Sequence, residues 1–368
     1  MRKALFIIES KFIGGAEIVL DDYIKQTHYC HSIHIMKSEE LDQGTWFKAI
    51  PNTQIINIRN FTKLPRILSY FIKPFYVLLT SFKIITYINK NKISVVVSNN
   101  SQEILYLPLI KLYNKKIKTI AYFHDLIHKR KINGFFLKNM AKYSIDNFIA
   151  VSNAVKERLM ENKVPKEKII VLFNGVQTSE SLKKICINPT HLDFIFVGRL
   201  DSIKNPLEYL DFLILCKKHN IEYRAKIIFI PQDEELLSQL IEKISQNKLN
   251  IKLLQNIKRE QVIEEIKNSD FLVLTSIKDS LPTVILESFS VGTPVIAHNV
   301  GGVRDMVVDG SNGFIYNDKN RMVEVVKKIK SIDDKTYQYL SENAIKTIKN
   351  KFDISFKVKK LDQLLFMR

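Results

Sequence analysis

Acidic residues are scarce in this chain. Its 368 residues hold 38 Asp and Glu against 56 Lys and Arg, a formal net charge of +18. Cysteine is scarcer still, with Cys30, Cys186 and Cys216 far apart and odd in number. That pattern excludes a disulfide framework, and no close Cys/His spacing suggests zinc. The three read as reduced thiols of a cytoplasmic protein, packed as small hydrophobes. Long apolar runs are also missing. The greasiest region, Phe61 to Ile88, is broken by Lys63, Arg66, Lys73 and Lys83 and by Pro65 and Pro74. A membrane-spanning helix needs about 20 predominantly apolar residues, so none is expected. The first ten residues turn polar at Glu9 and Ser10 and read as a β-strand, not a signal peptide. No fixed-period repeat, no long low-complexity tract and no Asp-x-Asp triplet occurs.

What is present is ordinary globular material, 46% apolar and 26% charged, in a length that suits two domains. Short apolar runs alternate with amphipathic stretches. Strands are expected at Ala4–Ile8, Ser32–Met36, Ser94–Ser98, Lys118–Phe123, Asn147–Val151 and Ile169–Phe173. A second set follows at Asp193–Gly198, Lys226–Ile230, Ile251–Leu254, Phe271–Leu274 and Pro294–Ala297. This alternation predicts an α/β chain of two doubly wound, Rossmann-like parallel sheets, divided at residues 1–175 and 176–353. The polar segment Asn174 to His191 is the linker candidate. Such sheets bind ligands outside the carboxyl ends of their strands, and two of them are expected to face a cleft. The last segment, 354–368, has helical spacing in Phe356, Leu361, Leu364 and Leu365 and is expected to pack on the first domain.

The positive charge is unevenly placed. Residues 1–180 hold 27 Lys/Arg and 14 Asp/Glu, whereas 181–368 hold 29 and 24. Between Arg59 and Lys142 there are 16 cations and two acids, Glu103 and Asp125. Phe71, Phe75, Tyr76, Leu78 and Leu79 sit among those lysines, a mixture that suits a helix on an anionic leaflet. A merely solvated lysine-rich surface is the alternative. No zinc finger or RNA-recognition signature accompanies the charge, so nucleic acid is not an expected partner.

Three short segments carry chemistry. Gly14-Gly15-Ala16-Glu17 follows the first strand and opens a helical stretch, where glycine lets backbone approach a ligand and the helix start offers free N–H groups; an ordinary strand–helix turn is the plainer reading. Val197-Gly198-Arg199-Leu200 ends a strand, and Lys204-Asn205-Pro206 opens a helix. Two cations at a helix start oppose the macrodipole unless an anion joins them, and together they form a trap for a diphosphate. Then comes Asp279-Ser280-Leu281-Pro282-Thr283-Val284-Ile285-Leu286-Glu287. Pro282 at a helix start leaves the Thr283 and Val284 amides without intrahelical partners. Glu287 lies in an apolar helical stretch and needs hydrogen-bond partners, which two ribose hydroxyls would supply. Asp279, ahead of that helix, suits the hydroxyls of a transferred sugar. His124 follows a strand, with His128 four residues on; no third ligand is evident, and no metal is expected.

These segments resemble the retaining GT-B glycosyltransferases of family 4, the group that includes bacterial lipopolysaccharide, capsule and exopolysaccharide enzymes. The likeness rests on two acids separated by seven residues (Asp279 and Glu287), on Gly292-Thr293-Pro294-Val295-Ile296-Ala297, and on Gly301-Gly302 and Asp309-Gly310-Ser311-Asn312-Gly313. Val151-Ser152-Asn153 and Asn174-Gly175-Val176 resemble the family's strand end and domain junction. The match is dense from about 147 to 316. The resemblance implies that Arg199 and Lys204 bind the donor diphosphate, that Glu287 holds the ribose, and that Asp279 with the backbone of Ser280, Leu281, Pro282, Thr283 and Val284 contacts the donor sugar. It places His124 near the reacting carbon and gives Gly15 the task of making room for phosphate. It implies a peripheral membrane enzyme on the cytoplasmic face, a UDP-sugar as first candidate donor, a glycan or lipid-linked acceptor and no metal cofactor. The first acid of the pair is usually Glu; Asp279 is shorter by about 1.5 Å, so the sugar would sit differently or be a different one. A degenerate binding protein and a nucleotide-sugar epimerase on the same fold remain the alternatives.

Overall fold

The structure, a computed structural model, describes residues 2–10, 14–37, 53–55, 66–100, 103–126, 142–178 and 190–367. The expectations resting on Arg59, Phe61, Lys63, Pro65, His128, Cys186 and the side chains of Arg66, Phe71 and Lys73 lie outside the described residues, as does most of the linker candidate. The chain divides into two compact units, Met1–Asn174 with Ile354–Arg368, and Gly175–Asp353.

The N-terminal unit holds seven parallel strands: β1 (Ala4–Ile8), β2 (Ile33–Lys37), β3 (Thr53–Ile55), β4 (Val95–Ser98), β5 (Lys118–Phe123), β6 (Asn147–Ala150) and β7 (Ile169–Val171), in the order β3-β2-β1-β4-β5-β6-β7. Its helices include α1 (Gly15–Gln26), α2 (Arg66–Asn91), α3 (Leu107–Tyr113) and α4 (Asn153–Glu161). Strands covered on both faces read as near-continuous apolar runs. Accordingly Ala4, Leu5, Phe6, Ile7 and Ile8 are all fully buried, as are Val95, Val96 and Val97.

The C-terminal unit holds six parallel strands: β8 (Leu192–Leu200), β9 (Tyr223–Pro231), β10 (Ile251–Gln255), β11 (Phe271–Leu274), β12 (Val295–His298) and β13 (Gly313–Tyr316), in the order β10-β9-β8-β11-β12-β13. Its helices are α5 (Pro206–Lys218), α6 (Glu234–Gln246), α7 (Arg259–Lys267), α8 (Thr283–Ser290), α9 (Val303–Met306), α10 (Lys319–Lys330) and α11 (Asp334–Thr347). Phe194, Phe212, Phe271 and Tyr337 meet at its centre, with Phe194 edge-on to Phe212 and Phe271 edge-on to Tyr337. Each sheet therefore reverses its strand order once, at β1/β4 and at β8/β11. Such reversal points open the crevice in which doubly wound folds bind ligands.

The last helix, α12 (Ile354–Phe366), belongs to the N-terminal unit. Its Asp362 accepts hydrogen bonds from Tyr23 (2.6 Å) and Thr27 (2.7 Å), and Phe366 stacks on Tyr29. Its buried face departs from the sequence expectation at one position: Ile354, Lys357, Leu361 and Leu365 point inward, whereas Phe356 is exposed. Leu361 and Leu365 are buried as the spacing predicts; at the start of the helix Lys357, not Phe356, turns into the core.

Candidate functional site

The end of β8 and the end of β11 meet at the reversal point of the C-terminal sheet. Gly198 lies beside Lys204 and Phe196: the position a Cβ would take is 3.4 Å from Cγ of Lys204 and 3.5 Å from the Phe196 ring, ordinary contact distances. After β8 the chain makes a tight loop organised by Asp201, whose carboxylate accepts from the Lys204 amide (2.8 Å) and pairs with Arg199 (2.8 Å). Asn205 then adopts a left-handed conformation (φ 50°), and Pro206 begins α5, where its fixed φ and missing N–H suit the first helical position. Three hydrogen-bond contacts hold this loop to the segment after β11. The Thr275 hydroxyl donates to the carbonyls of Lys204 (3.0 Å) and Asn205 (2.9 Å), and the Ile277 amide donates to the Ile203 carbonyl (2.9 Å).

The loop places Lys204 Nζ 2.6 Å from the Asp279 carboxylate, across 75 residues of sequence. Both side chains are largely sheltered, at 21% and 13% exposure, whereas Arg199 is half exposed at 52%. The Gly302 amide donates to the Asp279 carbonyl (3.3 Å), and Gly301 turns the chain at φ 50°, a conformation glycine adopts without strain. Pro282 caps α8 with no side-chain hydrogen bond, and the first intrahelical donor is the Ile285 amide. The start of α8 thus presents amide hydrogens outside the helical ladder.

Glu287 lies on α8, as expected, and has a protein partner that the sequence reading did not name. Arg259, the first residue of α7, donates from Nε to its carboxylate at 3.0 Å. Arg259 stands shortly after a strand and at a helix start, the same kind of position as Lys204; that placement was the signal available. The structure therefore brings Lys204 to Asp279, Arg199 to Asp201 and Arg259 to Glu287, all on the ends of α/β connections of one sheet.

The N-terminal candidates have a different setting. His124 follows β5 and is buried, its ring lying against Tyr122 at 4.2 Å between centroids. Burial and the nearby Lys357 push its imidazole down to about 3, so the ring is neutral throughout the physiological range. Lys357 of α12 donates to the Val19 carbonyl (2.9 Å) and lies 5.9 Å over the Tyr122 ring; burial pulls it down to about 7. Gly15 opens α1 and is exposed, but that helix start is already capped by a carboxylate: the Gly14 amide donates to Glu17 at 2.8 Å. Among the described residues no group of three or more His, Cys, Asp or Glu is placed to hold a metal ion. No described helix is long and apolar enough to cross a membrane.

Two families match this chain in tandem: Glycosyltransferase Family 4 over residues 13–180 and Glycosyl transferases group 1 over residues 177–347. An uncharacterized glycosyltransferase of Methanocaldococcus jannaschii, MJ1178, is 31% identical over 60% of the chain and 58% of its own length. The UDP-Gal:alpha-D-GlcNAc-diphosphoundecaprenol alpha-1,3-galactosyltransferase of Escherichia coli is 29% identical over 62% of each. The chain thus spans about three-fifths of the length of these two relatives. Anabaena HepE, solved in complex with UDP, superposes with a TM-score of 0.79 at 18% identity over 99% of both chains, which makes the fold GT-B.

Proposed function

We propose that this chain, which matches the family 4 glycosyltransferase model in its first half and the group 1 model in its second, moves a hexosyl unit, with retention, from a nucleotide-sugar to a lipid-linked or cell-surface glycan. The observation that carries this reading is the Lys204–Asp279 pair at the β8/β11 reversal point. It sets a cation for the diphosphate beside a carboxylate for the sugar hydroxyls. The E. coli relative is named for a UDP-galactose donor and a diphosphoundecaprenol-linked acceptor, and HepE holds UDP; both support a UDP-sugar as the first donor to test.

In the proposed reaction the bond between the sugar's anomeric carbon and the β-phosphate oxygen breaks as the acceptor hydroxyl oxygen bonds to that carbon from the same face. The hydroxyl proton leaves with the diphosphate. Negative charge grows on phosphate oxygens, so stabilising it is the main catalytic task. Lys204 and Arg199 supply cations, and the amides at the start of α8 supply hydrogen bonds. That set neutralises the leaving group without a metal, and chelator is expected to leave turnover unchanged. Glu287, held by Arg259, receives the ribose hydroxyls; Asp279 and the backbone from Ser280 to Val284 receive the sugar. His124, uncharged, belongs to the N-terminal unit, which on this reading takes the acceptor. The charge surplus of the N-terminal half, 27 cations to 14 acids in residues 1–180, supports work in the cytoplasm at the anionic inner face of the plasma membrane.

Thermal shift with a panel of UDP- and GDP-sugars, followed by product analysis, tests the reading. One donor is expected to raise the melting temperature of the wild type and not of Lys204→Ala, and to yield a glycoside. No shift by any nucleotide-sugar removes the donor site. Donor isomerisation without a glycoside replaces the transferase by an epimerase.

A further inference from the structure

Helix α2 wears part of its amphipathicity inside out. Phe75 and Phe82 are 64% and 72% exposed, and Leu78 and Leu79 are at least half exposed. Their spacing, i, i+3, i+4 and i+7, puts all four on one stripe of the helix. On the opposite face Thr80 and Ser81 are buried at 3% and 2%, ahead of Ile84 and Ile88. Burial within the unit produces the reverse order, apolar in and polar out. Single exposed apolar residues need no explanation, but a contiguous stripe of four does.

The stripe continues onto α3. Asn89 of α2 donates to the Tyr113 hydroxyl (2.6 Å), and Tyr113 and its neighbour Leu112 are both exposed. Exposed cations surround this surface: Lys83 and Lys90 on α2, and Lys115 and Lys116 in the turn after α3. Neither helix contains an acidic residue. An apolar centre with a basic, acid-free rim matches one chemistry, the headgroup–acyl boundary of an anionic bilayer. A polyanion such as nucleic acid would need its cations at the centre of the patch.

We propose that this face of α2 and α3 inserts shallowly into an anionic leaflet, with Phe75, Leu78, Leu79, Phe82 and Leu112 below the phosphate level and the lysines at it. The proposal rests on the membrane reading above and goes further, naming the exposed face of α2 and α3 that inserts and the depth it reaches.

Sedimentation with vesicles of pure phosphatidylcholine, or of phosphatidylcholine with phosphatidylglycerol, is compared for the wild type and for Phe75→Ser/Phe82→Ser. The double variant is expected to bind anionic vesicles at least about tenfold more weakly. It should keep its melting temperature and its donor-sugar affinity, since α2 has no part in the donor site. In Phe82→Trp, emission measured above the wild-type background should be quenched by lipids brominated along the acyl chain; in Tyr339→Trp, on α11 of the other unit, it should not. Equal vesicle binding by the double variant, or no quenching at position 82, overturns insertion and leaves the charge reading standing. No binding of wild type to anionic vesicles overturns both. A dimer that the double variant breaks, without vesicle binding, assigns the face to a second copy of the chain and also overturns the proposal.

Discussion

The two sheets of this protein share a topology and differ in what they place at its reversal point. At β8/β11 the loops carry Arg199 and Lys204, with Asp201 and Asp279 as their partners. At β1/β4 they carry carboxylates: the Glu9 amide donates to Glu103 (2.6 Å), Tyr106 donates to the Glu9 side chain, and the Gly14 amide donates to Glu17. The half of the chain with the larger positive surplus thus has the acidic crevice. Fold does not decide what a crevice binds; the few residues at the strand ends do. Net charge is an equally poor guide, because the N-terminal surplus lies on outer helices such as α2. On the proposed reading, an anionic diphosphate finds its countercharges on the C-terminal sheet.

Removing the cation from one crevice is the strongest way to break this contrast. Lys204→Ala takes away the sheltered cation and leaves Asp279 without it. Turnover is expected to fall by about 100-fold or more, with little change in melting temperature. Glu17→Gln, in the other crevice, should leave nucleotide affinity unaltered. Equal losses from the two variants would erase the distinction between the crevices. Arg259→Ala is expected to have a smaller effect. It frees Glu287 to move, so the Michaelis constant for the donor should rise by about tenfold while kcat changes less, the pattern of a lost binding contact. A drop confined to kcat would give Arg259 a different task. His124→Gln should lower turnover several-fold and leave the acid limb of the pH profile in place, because an imidazole held at about 3 does not titrate there.

Much of this was readable beforehand, and the exceptions share a cause. β1, β5 and β11 were expected at their observed bounds because strands covered on both faces read as near-continuous apolar runs, β5 after its opening Lys118-Thr119. β3 escaped notice: Thr53-Gln54-Ile55 is three residues long, and its pairing with Ile35–Lys37 of β2 makes it a strand. β13 hides behind a turn signal, since Gly313 closes the turn-forming run Asp309-Gly310-Ser311-Asn312-Gly313. It is a strand residue whose absent Cβ would fall 2.2 Å from the Val295 carbonyl oxygen. In the site, Lys204, Asp279 and Glu287 stood out one by one, each beside a strand end or helix start. Their pairings did not, because they depend on which loops the sheet order makes neighbours. Arg259 was missed for that reason. Lys357 was missed because a lysine inside an apolar helix face contradicts the pattern used to find such faces.

That lysine and Glu103 offer the finest test of the contrast, through stability. Burial and the Glu9 carboxylate push Glu103 up to about 8 from an ordinary 4.5, so in the folded protein it is mostly protonated at neutral pH, and the charge of its crevice resides in its neighbours. A carboxyl raised on folding contributes stability that is complete below 4.5 and is lost as pH rises through 8. Lys357 runs the other way. Its folded value of about 7 lies below the ordinary 10.5, so the unfolded chain binds the extra proton between those values, and its contribution is complete above 10.5 and lost as pH falls through 7. Glu103→Gln should therefore gain on the wild type as pH is raised from 5 to 9. Lys357→Met should gain as pH is lowered from 10 to 6, and replacing a buried charge by an apolar side chain of similar volume is often stabilising. Differences of a few °C in melting temperature, on the order of 1 kcal/mol, are expected, with opposite signs of slope. Parallel slopes would mean that the two groups are not both buried in the folded N-terminal unit, and the contrast between its carboxylate-lined crevice and the cationic one would lose Glu103 as a buried, protonated member.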